Sequence, residues 1–225
     1  MSARRNFSPE LFRFLKDLRR HNNRDWFQAN RERYVSAVRD PFLRFISDFG
    51  PQLSEISRHF VADPRPTGGS LFRIYRDTRF SKDKSPYKTN AAADFRHRAG
   101  GRDVHAPGFY LSLESGGCLA AAGLWHPDPQ ALAKVRDAIV ERPKAWERIR
   151  RLGLEVEGDS LVRPPKGYDP AHPFIGDIKR KDFYTTVPFT EKQVCSPRFL
   201  LDFAAVCKKM APLAEFLTEA LGMPW

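Results

Sequence analysis

Apolar side chains recur at helical spacing through the first sixty residues. Ser8-Pro9-Glu10 combines a capping hydroxyl, a proline and an acid, which is typical of a helix start. The stripe that follows it consists of Leu11, Phe12, Leu15 and Leu18. A second helix is predicted from about Asp25, with Pro41 interrupting or restarting it. A third helical piece is predicted before the Pro- and Gly-rich break at residues 64–69.

In the middle of the chain the apolar spacing changes to two, which indicates β-strands. The predicted strands are residues 71–76, 88–95, 109–113 and 119–125. Ala91, Ala93 and Phe95 would share one face of their strand, because alternate side chains point the same way. Ser115-Gly116-Gly117 separates the last two strands and is a strong hairpin signal. Antiparallel pairing is therefore predicted, with a polar loop at residues 96–107.

The last hundred residues return mainly to helical spacing. Helices are predicted after Asp128-Pro129, at Pro143, and after Ser196-Pro197, the last with a kink at Pro212. Two exceptions are a small hairpin at 154–162 and a late strand at 182–187. Helices, then strands, then helices predict one α+β domain over residues 1–225. Its sheet is expected to be mainly antiparallel, with four to five strands packed by several helices.

Composition narrows the class of protein. Of the 225 residues 41% are hydrophobic, which supports a real core, and eighteen phenylalanines predict that it is rich in rings. Cys118, Cys195 and Cys207 are odd in number and far apart, which argues against a disulfide framework and favours a reducing cytosol. The amino terminus lacks the apolar core of a signal peptide, and no stretch approaches the roughly 18 apolar residues of a membrane span. A cytoplasmic protein without membrane contact is expected.

The net charge is +11 and is unevenly distributed. Residues 1–106 hold 22 basic and 12 acidic side chains, whereas residues 107–225 hold 16 and 15. Such a bias favours nucleic acid, a nucleotide or another polyanion as the partner. The alternative interpretation is that arginine richness reflects the base composition of the source genome.

Nearly the whole excess lies in the amino-terminal half, and it includes residues 72–90, where six cations are interleaved with rings. The cations are Arg73, Arg76, Arg79, Lys82, Lys84 and Lys88, and the rings are Phe72, Tyr75, Phe80 and Tyr87. Only Asp77 and Asp83 oppose the positive charge. Arginine presents a planar fork of donors that suits carboxylate and phosphate, and it stacks on aromatic faces. The segment therefore predicts an anion-binding site formed by Arg73, Arg76, Arg79, Lys84, Tyr87 and Lys88, of which all but Lys88 are expected around one concavity.

The same segment carries a family resemblance. Arg73-x-x-Arg76-Asp77-x-Arg79-Phe80, followed by Lys84-x-x-Tyr87-Lys88-Thr89-Asn90, resembles the signature of the domain of unknown function 2461 family. Further similar positions are residues 108–114, Gly123-Leu124-Trp125, residues 164–168 and Ser196-Pro197. The resemblance covers essentially the whole chain and implies a single-domain protein of a kind found mostly in bacteria and in some fungi. It implies boundaries and the position of a site, but no chemistry.

Three functions remain open at this point. The protein binds a phosphate-bearing ligand, either a nucleotide or nucleic acid. Alternatively, it is an enzyme acting on such a ligand, with Asp77 or Asp83 as general base or as the partner of a metal. In the third hypothesis the arginines only brace the fold through ion pairs with these aspartates. The sequence indicates no particular cofactor or protein partner.

Other candidate residues give weaker signals. None of the six histidines has a metal-binding spacing. His97 and His105 lie in the polar loop, and His126 lies between a strand end and a helix cap. Cys195 precedes a helix start, where a thiolate can be stabilised. The basic run Lys179-Arg180-Lys181 is typical of a solvated turn.

Overall fold

The computed structural model describes residues 5–100 and 106–225 of the chain. The helices within these ranges are α1 (Pro9–Arg20), α2 (Arg24–Ala29), α3 (Arg31–Tyr34), α4 (Asp40–Ile56), α5 (Pro129–Glu141), α6 (Pro143–Arg150), α7 (Ile175–Ile178), α8 (Glu191–Val194) and α9 (Phe199–Ala220). The strands are β1 (Asn90–Arg96), β2 (Gly108–Glu114), β3 (Cys118–Leu124) and β4 (Phe183–Phe189). The predicted α+β class is confirmed.

The amino-terminal helices follow the predicted stripes with two differences. Ser8 is the N-cap residue of α1, but its side chain makes no capping hydrogen bond, so the predicted hydroxyl cap is wrong. A π-helical turn at Val35–Arg39 joins α3 to α4, and Pro41 lies in the first turn of α4. The predicted third helical piece is the end of this same helix, which continues through Pro51 to Ile56.

Among the described residues, four strands form one antiparallel sheet in the order β1-β2-β3-β4. Ala93 pairs with Leu111, Leu111 with Ala120, and Ala120 with Val187, so these residues form a row across the sheet. The predicted face of Ala91, Ala93 and Phe95 is buried, as their alternation indicates. The hairpin between β2 and β3 and the late strand are also confirmed.

The predicted strand at 71–76 is wrong as a continuous element. It forms two isolated antiparallel bridges, Leu71 with Ala93 and Tyr75 with Tyr87. The segment pairs first with β1 and then bends onto residues 86–88. Pro86 has no N–H to donate, so the ladder cannot extend past Tyr75 on that side.

The predicted hairpin at 154–162 is also wrong, because its two halves do not pair with each other. Glu157 bridges to Tyr184 and Ser160 to Arg180, so the segment lies beside β4 and the turn before it. Gly158 has a φ of 128°, and a Cβ there would lie 2.5 Å from the Cβ of Asp182. The pairing therefore depends on a close backbone approach that sequence periodicity does not reveal.

Two buried clusters hold these elements together. The larger lies between the helices and β1–β3 and is rich in phenylalanine, with Phe49 4.9 Å from Phe203 and 4.8 Å from Phe95, centroid to centroid. The smaller contains Trp146 and Phe183 and gathers α5, α6 and the start of β4. The long helix α9 contributes to both clusters and runs through Pro212 without ending there. No helix within the described ranges has the length and hydropathy needed to cross a membrane.

Candidate functional site

A cationic loop, defined here as residues 76–86, projects from the edge of the sheet beside α2. The bridge between Tyr75 and Tyr87 closes its base, where the Arg76 amide donates to the Pro86 carbonyl at 2.9 Å. On the side of the bridge that faces away from the loop, the Lys88 N–H donates to the Ile74 carbonyl at 2.8 Å. The two ends of the loop are therefore held side by side.

The turn between α1 and α2 fixes this base in place. The Asn22 amide nitrogen donates to the Tyr87 carbonyl at 2.9 Å, and the Tyr87 N–H donates to the Asn22 side-chain oxygen at 3.1 Å. The buried Tyr87 ring stacks on Phe27 of α2, with centroids 4.1 Å apart and planes 19° apart. Because α2 and the loop share this contact, side chains on α2 are brought beside those of the loop.

A pocket of about 510 Å³ lies between α2 and the loop. It is lined by Arg24, Gln28, Tyr75, Arg76, Thr78, Lys84, Pro86 and Tyr87. Its size falls within the range of roughly 300–1,000 Å³ that is usual for small-molecule sites. Three lining residues are cationic and none is acidic, so the charged groups of the lining are all positive.

The three cations differ in what holds them. Arg24 is exposed on α2 and has no ion pair or hydrogen bond within the described chain. Arg76 pairs with Asp83, and the Lys84 ammonium donates to the Thr78 carbonyl at 2.9 Å. Arg24 is thus a fully available charge, while the other two are positioned by contacts inside the loop.

Aspartates in the loop hold its shape. Asp77 accepts from Arg79 Nη2 at 2.7 Å and from Nε at 3.1 Å. These side-chain hydrogen bonds lower the pKa of Asp77 to about 2. Hydrogen bonds from Ser85, followed by that from Arg76, likewise lower the pKa of Asp83 to about 2. Such carboxylates are ionised and weakly basic at neutral pH, which does not favour either as a general base.

The family follows from a match over nearly the whole chain and not from the loop alone. Residues 10–216 match the family model described as Conserved hypothetical protein (DUF2461). The chain belongs to this family. The resemblance inferred from the sequence motifs is therefore confirmed. Neither the curated proteins nor the solved structures contain a match to this chain.

The DUF2461 match includes all six side chains predicted to bind an anion, but the structure divides them. Arg76, Lys84 and Tyr87 line the pocket. The other three, Arg73, Arg79 and Lys88, are not among its lining residues.

Lys88 instead lies over the Phe72 ring, with its ammonium 5.1 Å from the centroid. Burial, aided by the charge of Arg73, lowers the pKa of Lys88. The guanidinium of Arg96 contacts the same ring at 5.6 Å and pairs with Asp94. Strand alternation does not explain the division, because the adjacent residues Tyr75 and Arg76 both line the pocket.

Sequence reasoning missed Arg24 and Gln28, the contributions of α2 to the pocket. They lie about fifty residues before the cationic segment in the DUF2461 sequence, outside its charge pattern. Phe27 lies three positions after Arg24, and its stacking on Tyr87 brings the helix to the loop. That long-range contact leaves no periodic signal along the chain.

The contacts of the histidine and cysteine candidates that the structure describes serve the fold. The buried His97 ring lies 2.8 Å from the Pro224 carbonyl oxygen, and burial lowers its pKa. His105 lies outside the described residues. His126 adopts a φ of 48° and its N–H donates to the buried Asp182 carboxylate at 2.7 Å. Burial raises the pKa of the Cys195 thiol, which is opposite to the direction that thiolate stabilisation requires.

The basic run at 179–181 is not simply a solvated turn. Arg180 is only partly exposed and contacts the buried carboxylate of Asp177 at 3.3 Å in this part of the DUF2461 fold. No group of three or more His, Cys, Asp or Glu side chains suited to a metal occurs in residues 5–100 and 106–225.

Proposed function

We propose that the protein binds a phosphate-bearing anion in the pocket between α2 and the cationic loop. The supporting observation is the convergence of Arg24, Arg76 and Lys84 on a hollow of about 510 Å³ that has no acidic lining residue. A bound anion would balance the positive charge of these side chains. The unpaired Arg24 is the side chain with the most to gain from such a ligand.

The lining favours a ligand that carries both phosphate and a flat ring. Guanidinium groups match phosphate with two parallel hydrogen bonds, and lysine supplies a compact charge. Tyr75 leaves about half of its surface exposed, at 51%, and contacts Tyr87 at a centroid distance of 5.4 Å. Gln28 and Thr78 add neutral polar groups. A nucleotide, or a unit of nucleic acid, combines the features that these side chains select.

The two alternative functions explain less of the arrangement. An enzyme using Asp77 or Asp83 as a base would need a carboxyl with a much higher pKa than about 2. Bracing accounts for the pairs of Arg79 with Asp77 and of Arg76 with Asp83. It does not account for Arg24, which reaches the pocket with no carboxylate partner in the part of the chain described.

Isothermal calorimetry with adenosine triphosphate and with inorganic pyrophosphate at low salt tests the proposal. We expect Arg24→Ala to weaken binding by about tenfold or more, since a hydrogen bond to a charged group contributes roughly 1.5–3 kcal/mol. Arg65→Ala is the matched control, because Arg65 is an exposed arginine that pairs with Asp63 away from the pocket. Melting temperatures of both variants should stay close to that of the wild type.

Two results would contradict the proposal. One is an equal loss of affinity in the Arg24 and Arg65 variants, which would indicate general charge attraction. The other is the lack of heat with either ligand and with labelled oligonucleotides at low salt, which would leave the bracing hypothesis in its place.

A further inference from the structure

The tip of the cationic loop carries a phenylalanine in water. Phe80 is 95% exposed, whereas most phenylalanines of this chain are buried in the two clusters. Its contact is with Arg79, whose guanidinium carbon lies 5.8 Å from the ring centroid. A single exposed ring is not in itself a binding surface, so its meaning depends on the cations and the rigid loop around it.

The loop that presents Phe80 is ordered by its own hydrogen bonds. Asp77 holds Arg79, Asp83 holds Arg76 and Ser85, and Lys84 reaches back to the Thr78 carbonyl. These contacts lie on both sides of the tip and are closed at the base by the bridge between residues 75 and 87. A preorganised loop loses little conformational entropy when it binds, which favours recognition by its tip.

The positive charge of this region forms two groups. Arg24, Arg76 and Lys84 line the pocket, whereas Arg79 and Lys82 lie in the outer part of the loop beside Phe80 and outside the pocket lining. A compact anion in the pocket would contact only the first group. A chain of phosphates would contact both, with its flat groups between them.

On this basis we infer that the ligand is single-stranded nucleic acid, with one base stacked on Phe80 and backbone phosphates held by the pocket. This inference rests on the proposed function and specifies its substrate class. Stacking on aromatic side chains accepts any base, because every base has a π-face, and it requires the unpaired bases of a single strand. The exposed side of Tyr75, in the pocket lining at the base of the loop, offers a second ring.

An anionic membrane is the competing partner for an exposed ring among cations. Stable attachment to a bilayer requires a sizeable apolar face or a lipid chain in addition to basic residues. Phe80 is a single ring whose neighbours Arg79, Ser81 and Lys82 are polar. The apolar area at the tip is therefore suited to one base rather than to an acyl layer.

Fluorescence anisotropy with a labelled oligothymidylate and the full chain tests the inference. We expect Phe80→Ala to weaken binding about tenfold and Phe80→Tyr to restore it, the size expected for one stacked base. Val162→Ala is the matched control, since Val162 is also almost fully exposed, at 92%, and lies outside the loop. The salt dependence should stay unchanged in the Phe80 variants, whereas Arg79→Ala should reduce the slope by about 0.7, one phosphate contact.

The outcomes separate the inference from the proposal on which it rests. Binding of pyrophosphate or adenosine triphosphate without binding of the oligonucleotide would overturn the inference and leave the proposed function intact. Failure to bind any of these probes would overturn both. Oligonucleotide binding that Phe80→Ala does not weaken, or Phe80-dependent binding to anionic phosphatidylserine vesicles that exceeds binding to the oligonucleotide, would also overturn the inference.

Discussion

Aspartate–arginine ion pairs occur both in the interior of this molecule and on its surface. Near α7, the Asp177 side chain is only 8% exposed and accepts from the Trp146 indole nitrogen at 2.8 Å and from Arg180 at 3.3 Å. Arg150 lies 3.6 Å from the same carboxylate. In the cationic loop, by contrast, Asp83 is 52% exposed and pairs with an arginine in water.

The difference shows why residue type alone does not separate a brace from a binding site. A carboxylate removed from water must be matched by hydrogen bonds and charge, and the loss of any member leaves the others uncompensated. An exposed pair contributes little to stability, since water competes for both partners. Loop arginines can therefore exchange an aspartate for a ligand at small cost, while the partners of Asp177 cannot.

The largest effect should come from breaking the buried cluster. We expect Asp177→Ala to lower the free energy of unfolding by about 3 kcal/mol, because it leaves the buried Trp146 N–H without its acceptor and Arg180 without its carboxylate. This estimate is at the low end of the usual range because Arg180 is partly accessible to water. Urea denaturation measures the change.

The matched variant for this comparison is Asp77→Ala in the loop. Its unfolding midpoint should lie close to that of the wild type. Equal destabilisation by the two substitutions would show that the loop is as much a brace as the interior cluster, and the distinction between the two settings would fail.

A change at Arg76 should affect binding without a comparable effect on stability. We expect Arg76→Ala to weaken binding of adenosine triphosphate about tenfold, since a pocket cation is lost, while the melting temperature changes little. Calorimetry and a thermal melt of the same preparation give both values. A large fall in melting temperature with unchanged affinity would assign Arg76 to the brace.

Much of the fold could be predicted from the sequence because it depends on local periodicity. The alternation of Ala91, Ala93 and Phe95 gave the buried face of β1, and Asp128 caps α5 through hydrogen bonds to two backbone amides, as its position before Pro129 indicates. The failures involve contacts between distant segments. Residues 71–76 split between two partners, a choice that their own pattern does not contain.

The candidate site was predictable only in part, for the same reason. Arg76, Lys84 and Tyr87 were identified by their clustering along the chain, and they line the pocket. Arg24 was not identified, because its position depends on the stacking of Phe27 on Tyr87 across the fold. Clustering in sequence also grouped Lys88 with the pocket, although its side chain lies over the Phe72 ring.

The smallest effect concerns the pH at which the carboxyls titrate. Asp77 and Asp83 have folded pKa values of about 2, below the ordinary value, so their slight stabilisation is present near neutral pH and is lost as the pH falls through about 2. Burial raises the pKa of Asp94, so its pH dependence runs the other way. Its stabilisation is present at low pH and is lost as the pH rises through the raised pKa. Carboxyl carbon shifts in NMR should show Asp94 titrating first as acid is added, with both loop aspartates last. Titration of all three together would remove the distinction.

The strand order has a consequence for how the chain folds. β1, β2 and β3 follow one another closely in sequence, so their pairing closes short loops. β4 joins β3 only when the long stretch between Leu124 and Phe183, with α5–α7, has also closed. Since closure over a longer separation costs more entropy and slows folding, we expect the three-stranded meander to form first and β4 to dock late. In pulse-labelled hydrogen exchange, the amides of β2 should therefore gain protection before those of β4.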